Sequence, residues 1–239
     1  MKKNKNILGI IPARAGSKRV KDKNIRSFAN TTLLDIAINQ GLSSSFIDNL
    51  VVSSDSERAS DISRNYFQSG LGYINRPKNL AKDNSTALEY IIHAIDYYEK
   101  INKYFDIIVI LQPTSPFREP KHIDATIELL LKNYDNADSC VSIARISHEI
   151  HPYKIKTLDQ YYLKGWLIDE GQNTAEHEIP NLYVRNCAVY VFKSKNLKSG
   201  ISYGDKCLGY DMGDDSLIDI NTELDFDYAL YRYNKIQKL

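Results

Sequence analysis

The sequence predicts an α/β fold: a mostly parallel sheet covered by helices on both faces. Three observations carry that prediction. Short apolar runs at Ile7–Ile11, Leu50–Val52, Ile107–Leu111 and Cys140–Ala144 recur along the chain. The segments between them repeat their apolar residues at helical spacing. Strands that alternate with helices pair in parallel, and the crossover helices bury both faces of the sheet.

Taken in order, Ile7–Ile11 reads as a buried first strand, and Leu33, Leu34, Ile36, Ala37 and Ile38 form a helical stripe that ends near Gly41. Leu50–Val52 is a second strand. Ser54 and Glu57 have capping-box spacing, so a helix is expected from there to about Gln68. Tyr73-Ile74 is a third strand. Ser85 or Asn84 is placed to cap the next helix, where Leu88, Ile91, Ile92, Ile95 and Tyr98 recur on one side. Ile107–Leu111 is the most apolar run and is expected at the centre of the sheet. Pro120 suits the first turn of a helix carrying Ile123, Ile127, Leu130 and Leu131. From about Arg145 to Arg185 the pattern breaks into polar, aromatic, His-containing sequence, read as hairpins and loops that leave the sheet. Strand signals return at Cys187–Phe192 and Leu208–Met212. A last helix is expected from about Thr222 to Lys235, with Leu224, Phe226, Tyr228, Ala229 and Tyr231 towards the core. The expected organisation is one domain, 1–239, with an inserted arm at 145–185.

Composition narrows the classes. Over 239 residues the net charge is +1, with 43% hydrophobic and 26% charged residues, which is ordinary for a globular domain and gives no global attraction to nucleic acid or anionic membrane. No apolar stretch is long enough to span a bilayer, and the run after Lys2, Lys3 and Lys5 is too short for a signal-peptide core. Cys140, Cys187 and Cys207 have no metal-binding spacing. Cys140 and Cys187 sit in apolar context and are expected as buried thiols, which suits a cytoplasmic location.

Against that neutral background one loop is strongly basic. Residues 14–26 carry six basic side chains and a single acid, Asp22, directly after the first strand. Gly16 permits a tight turn, Arg14 can pair bidentately with phosphate, and Lys18 and Lys23 act as point charges. The spacing is neither a Walker loop nor a Rossmann fingerprint, and a solvated surface loop is the plain alternative. Leu111-Gln-Pro-Thr-Ser-Pro-Phe-Arg118 follows the strongest strand, where α/β sheets place ligands. There Gln112 offers donor and acceptor, and Arg118 is in position to reach an anion; ordinary turn chemistry is the alternative. Asp219 and Asn221 alternate in a short expected strand, so both oxygens point one way and suit Mg²⁺. Helix capping by Asn221 or Thr222, with Asp225 as partner, explains the same residues. Arg76, before Pro77, lies in an extended loop suited to phosphate or a base edge. Asn186 and Tyr190 are expected on one face of a strand.

Together these segments resemble the CMP-sialate synthetases, the acylneuraminate cytidylyltransferases, from about Asn6 to Tyr231. The resemblance rests on Ile11-Pro-Ala-Arg-Ala-Gly-Ser-Lys18 with Lys23-Asn24, Val52-Ser-Ser-Asp-Ser-Glu57, Arg76-Pro77 with Leu80-Ala81 and Asp83, Leu111–Arg118, and Asp219-Ile-Asn-Thr-Glu-Leu-Asp225. It implies a Rossmann-like domain of the nucleotide-diphospho-sugar transferase type, and a homodimer whose arm, here 145–185, reaches over the partner's site. It implies a reaction of CTP with a nine-carbon 2-keto sugar acid (sialate, legionaminate or a relative) that yields CMP-sugar and pyrophosphate with Mg²⁺ or Mn²⁺. By motif, Ala13, Arg14, Ser17, Lys18, Lys23, Asn24, Arg76, Thr86 and Gln112 would bind CTP. Gln112, Arg185, Asn186 and Tyr190 would face the sugar, and Asp219 with Asn221 would hold the metal. Lys23, Arg14 and Asp219 would carry the chemistry.

The departures fall on the sugar side. Asn221 stands where the family has a second acid, Glu176 beside His177 where it often has an Arg, and Arg185-Asn186-Cys187 where it has Pro-Asn-Gly. Arg185 would then supply the missing charge. Arg19 replaces a common Gly, and Ala87 a frequent Ser. The other readings are a cytidylyltransferase for an octulosonate or a phosphonate, a nucleotide-sugar glycosyltransferase, and a nucleic-acid-binding module. The second lacks acids after the middle strand, and the third is disfavoured by the near-neutral charge and a loop without aromatics.

Overall fold

The computed structural model describes residues 5–167, 180–213 and 217–236. Strand β1 (Ile7–Pro12) opens the fold, and a short hairpin, β2 (Ser27–Phe28) and β3 (Thr31–Thr32), leads into α1 (Leu33–Leu42). Then follow β4 (Asn49–Ser54), α2 (Glu57–Arg64), β5 (Leu71–Asn75), α3 (Ala87–Glu99), β6 (Ile107–Leu111) and α4 (Pro120–Lys132). The second half contains β7 (Ser139–Arg145), the hairpin β8 (Lys156–Asp159) and β9 (Tyr162–Gly165), β10 (Tyr183–Lys193), α5 (Ser194–Lys198), β11 (Cys207–Asp211) and α6 (Glu223–Ile236).

Seven strands form one sheet in the order β11-β7-β10-β6-β1-β4-β5. Within it β10 runs antiparallel to β6 and β7, and the other pairs are parallel. Ile7, Leu8, Ile10 and Ile11 are fully buried because β1 is covered on both faces. Burying each such side chain contributes roughly 1.5–3 kcal/mol. Ile7 and Ile11 pack with α1 and α4 in one core, and Leu8 and Ile10 pack with α3 in the other. A third cluster joins Val20, Phe28, Leu33, Ile220 and Phe226 beneath α6. The chain leaves β1 towards β4 and β5 on one side and later returns to β6 on the other. The crevice outside the carboxyl ends of β1 and β6 is therefore the topological switch point.

Several local expectations are corrected. The cap of α2 is Ser56, which accepts from Ala59 N; the Ser54 hydroxyl is instead turned onto Ala13 O, and the helix stops at Arg64. Thr86, not Ser85 or Asn84, caps α3 in a reciprocal box with Glu89. No strand is assigned at Asp219–Asn221. On α6 only Phe226 and Ala229 are buried, while Leu224 (78% exposed), Tyr228 and Tyr231 face outward. Cys140 is buried, but Cys187 is only half-buried and Cys207 is exposed. The expected excursion does leave the sheet through β8 and β9, although Arg145 and Tyr183–Arg185 still pair within it. Among the described residues no helix is long and apolar enough to cross a membrane.

β10 carries the main irregularity. Arg185 pairs with Ile143 and Tyr190 with Val141, so five steps along β10 oppose two along β7. This bulge holds Cys187 at φ 62°, in the left-handed region that suits glycine.

Candidate active site

The basic loop is pinned at several points and leaves its cations at the rim. Ala13 N donates to Ser53 O at 3.0 Å, and Ala15 N donates to Asp55 Oδ1 at 2.7 Å. Gly16 turns at φ 71°, and buried Val20 fastens the far side of the loop to the third core cluster. Arg14 and Lys18 reach a common partner across the opening: Asp83 accepts from Arg14 at 2.9 Å and from Lys18 at 2.5 Å. These two cations hold the Asp83 carboxyl below its ordinary pKa. The contacts are exposed, and exposed ion pairs are individually weak, so a multiply charged anion can displace Asp83 from both cations.

Beneath the rim is a cavity of about 340 Å³, lined among others by Pro12, Arg14, Ser17, Lys23, Asn24, Arg76, Ala87, Tyr90, Gln112 and Thr114. It lies at the switch point, between the ends of β1, β5 and β6 and the start of α3. Arg76 is buried there: Nε donates to Ser53 Oγ at 3.1 Å and Nη2 to Ser53 O at 2.7 Å. Its guanidinium lies 4.5 Å from the centre of the Tyr90 ring, and burial lowers its pKa. Asn24 is 9% exposed, and its Oδ1 has no hydrogen-bond partner among the described residues. A buried acceptor left empty costs stability, and inside a polar cavity it marks a place for a ligand donor.

Lys23 reaches from the loop to Ile220 O, which ties the basic segment to the chain entering α6. Burial lowers the Lys23 pKa, and the nearby charge of Asp219 opposes that shift. Ile220 N donates to Thr114 O at 3.0 Å, so the segments after β6 and before α6 are joined as well. Asn221 Nδ2 donates to Asp219 Oδ2 at 2.8 Å, while Asn221 Oδ1 accepts from Arg19 at 3.4 Å. The capping expectation also holds: Asp225 Oδ2 accepts from Asn221 N and Thr222 N, and Asp225 N donates to Thr222 Oγ1. Asp219 remains outside that cap. Asp219 does not line the cavity but acts on Lys23, which does; a single carboxylate in that position is compatible with Mg²⁺, which takes one or two carboxylates together with substrate phosphates. No cluster of three or more His, Cys, Asp or Glu suited to a metal occurs among the described residues.

Ala13, Arg14, Ser17, Lys18, Lys23, Asn24, Arg76 and Gln112 are thus gathered around one cavity or its rim. Other expected residues do not line it. The Thr86 hydroxyl is engaged in the α3 cap. Arg118 does not reach out to an anion: it is buried and donates to Gln112 O, Ala188 O and Gln40 Oε1, clamping the loop after β6 onto β10 and α1. Asn186 and Tyr190 do not share a face, because the bulge separates them. Asn186 bonds Ser142 Oγ and Met212 Sδ, and Met212 packs on the first core; Tyr190 packs in the second. Arg185 is exposed, with its guanidinium 4.7 Å from the centre of the Tyr203 ring. Glu176 and His177 lie outside the described residues.

Sequence reasoning missed Asp55, Asp83 and Tyr90. Asp83 stood in a quoted motif without a role. Tyr90 adjoins the apolar stripe of α3, and no periodicity separates a cavity-lining tyrosine from a packed one.

Comparison with known proteins gives concordant results. The sequence profile of the cytidylyltransferase family matches residues 8–205. CMP-N,N'-diacetyllegionaminic acid synthase of Legionella pneumophila is 32% identical over 225 residues, covering 92% of this chain and 93% of that protein. N-acylneuraminate cytidylyltransferase of Escherichia coli is 28% identical, covering 94% of this chain but 51% of the relative, so the chain spans about half of that protein's length. A solved CMP:2-keto-3-deoxy-manno-octonic acid synthetase with CTP superposes at a TM-score of 0.70 and 14% identity, covering 98% of this chain and 100% of that one. At that identity the likeness is one of fold.

Proposed function

The chain belongs to the cytidylyltransferase family of CMP-nonulosonate synthetases, and on that premise we propose that it joins CTP to a nine-carbon 2-keto sugar acid, releasing pyrophosphate. The observation that carries the reading is the switch-point cavity, with cations on its rim and the unpartnered Asn24 Oδ1 in its wall.

The anomeric hydroxyl of the acid attacks the α-phosphorus of CTP in line. An O–P bond forms, the bond to the bridging oxygen of the β-phosphate breaks, the hydroxyl proton leaves to solvent, and pyrophosphate departs. Arg14 and Lys18 exchange Asp83 for the outer phosphates. Lys23, held near the α-phosphate, offsets charge in the transition state; such electrostatic placement supplies most of the rate in phosphoryl-type transfers. Asp219 would hold Mg²⁺ or Mn²⁺, which when bound would offset phosphate charge and make the attacking hydroxyl more acidic. Asn221 orients Asp219 through its amide, and Gln112 and Arg185 face the acceptor.

We also place the chain in a homodimer formed through 145–185. The hairpin in that arm exposes Leu158 and its cross-strand partner Leu163, with Tyr161, Tyr162 and Trp166 also exposed, apolar surface that a second copy would cover. The three free cysteines suit a reducing cytoplasm.

The test is CTP-dependent pyrophosphate release across a panel of nonulosonates, an octulosonate and a phosphonate. Release with a nonulosonate is expected. Turnover confined to the octulosonate or the phosphonate would refute the acceptor assignment, and no turnover with any acid would refute the reaction.

A further inference from the structure

The cavity holds a second unpartnered polar group that the mechanism does not use. Tyr90 is 7% exposed and lines the cavity, and its hydroxyl has no hydrogen-bond partner among the described residues. A buried hydroxyl that donates to nothing loses its hydration without return, so it persists where a ligand supplies the acceptor.

Its placement follows from α3. Side chains on a helix tilt towards its N-terminus, and the N-terminus of α3 lies at the cavity, where Ala87 lines the wall three residues before Tyr90. The reciprocal Thr86–Glu89 box fixes that first turn. Arg76 covers the Tyr90 ring, and two bonds to Ser53 hold it there. The ring therefore has little freedom to turn its hydroxyl elsewhere.

The cavity walls differ in the flat apolar surface they offer. Arg14 and Lys23 line the basic-loop side, where the proposed phosphates would bind, whereas the start of α3 contributes the Ala87 methyl and the Tyr90 ring with its buried neutral hydroxyl, Arg76 lying over the ring and Lys82 beside it in the lining. A flat, uncharged ring with acceptors on its edge complements that wall. We propose that Tyr90 is a nucleotide-binding residue whose hydroxyl donates to an acceptor on the pyrimidine ring of the bound nucleotide. The proposal rests on the reading that this cavity takes CTP. Burial raises the phenol pKa, so the hydroxyl stays a donor through the working pH range.

Tyr90→Phe removes only the hydroxyl and separates this role from a packing role. Because the hydroxyl is unpartnered without ligand, the ligand-free variant should melt at the wild-type temperature or slightly above it. The Kd for CTP should rise about 5- to 20-fold, and KM for CTP should rise with kcat unchanged, the pattern for a contact equal in ground and transition states. Titrations with CMP and with inorganic tripolyphosphate locate the contact: CMP should weaken in parallel with CTP, and tripolyphosphate should not. Unchanged CTP affinity, weakening confined to tripolyphosphate, or a change only in the acceptor KM would overturn the proposal. A lower ligand-free melting temperature with CTP binding intact would make Tyr90 a packing residue. If the wild-type chain itself does not bind CTP, the functional reading fails first, which is a separate outcome.

Discussion

Around the switch-point cavity, side chains are fixed from behind and turned towards the opening, whereas along the bulge of β10 the ladder is broken and side chains turn to partners of their own. Arg76 is buried, bonded twice to Ser53 and stacked on Tyr90. Lys23 is fastened to Ile220 O, and the loop that carries it is tied to Ser53 and Asp55. On β10, by contrast, Arg185 is exposed against Tyr203, Cys187 takes a backbone angle suited to glycine, and the bulge splits Asn186 from Tyr190. The first region is built on regular strand ends and the second on a break in the ladder. Preorganised groups lose little freedom when a ligand arrives, so in the proposed reaction the first region suits CTP and the second the acceptor.

Five experiments break or sharpen that contrast. Chelating divalent cations with EDTA should reduce turnover to background while leaving the circular dichroism spectrum unchanged, if the proposed metal binds with the phosphates rather than within the fold. Substantial activity without metal would remove Asp219 from its assigned role. Lys23→Ala should lower kcat/KM by roughly 10²–10³-fold with little change in melting temperature, the scale seen when one preorganised transition-state donor is lost. Near-normal kcat/KM would remove Lys23 from the chemistry.

Arg76→Ala should do two things together. It removes the bond to buried Ser53 Oγ and one of the two bonds to Ser53 O, and leaves a hole beside Tyr90, so denaturant unfolding should show a loss of roughly 2–3 kcal/mol. CTP affinity should fall at least tenfold in the same variant. A stability loss with normal CTP affinity would make this wall mere scaffold. Asn221→Asp replaces the amide that holds Asp219 with a second carboxylate, and the half-saturating Mg²⁺ concentration should fall several-fold. An unchanged metal titration would mean that position 221 only orients its neighbour. The smallest effect is expected for Asp83→Asn, which weakens the pair with Arg14 and Lys18 and should lower KM for CTP by about twofold at low salt, vanishing at high salt.

The rigid region was largely legible in the sequence and the irregular one was not. Ile7–Ile11 and Ile107–Leu111 are apolar runs with no polar interruption, so their burial and central positions follow from composition alone. The basic loop announces itself by charge. Caps were harder, because neighbouring hydroxyls compete. Ser54 has the spacing of a cap, yet its hydroxyl turns to Ala13 O, a partner 41 residues away, and Ser56 takes the helix. Arg118 follows a ligand-type loop, but its partners Gln40 and Ala188 are 78 and 70 residues distant and convert an apparent anion ligand into a clamp. On α6, Leu224, Tyr228 and Tyr231 are apolar in character but face outward; helical spacing shows which residues share a side, not which side the core covers. The three extra residues of β10 leave no mark in periodicity at all. They become visible only when β7 is laid beside it.

That bulge bears on how such a chain diversifies. Residues between Arg185 and Tyr190 already lack counterparts on β7, whereas Val189–Lys193 keep an unbroken ladder to β6 and Tyr183–Arg185 one to Arg145–Ile143. A change confined to residues 186–188 would leave both registers in place, but Asn186 is bonded to Ser142 and Met212 and Ala188 O accepts from Arg118, so that stretch is anchored although it is unpaired on β7. Variation is therefore open at Arg185 and Cys187, whose side chains are not buried, while Asn186 and Ala188 stay anchored and the ladder to β6 keeps its register.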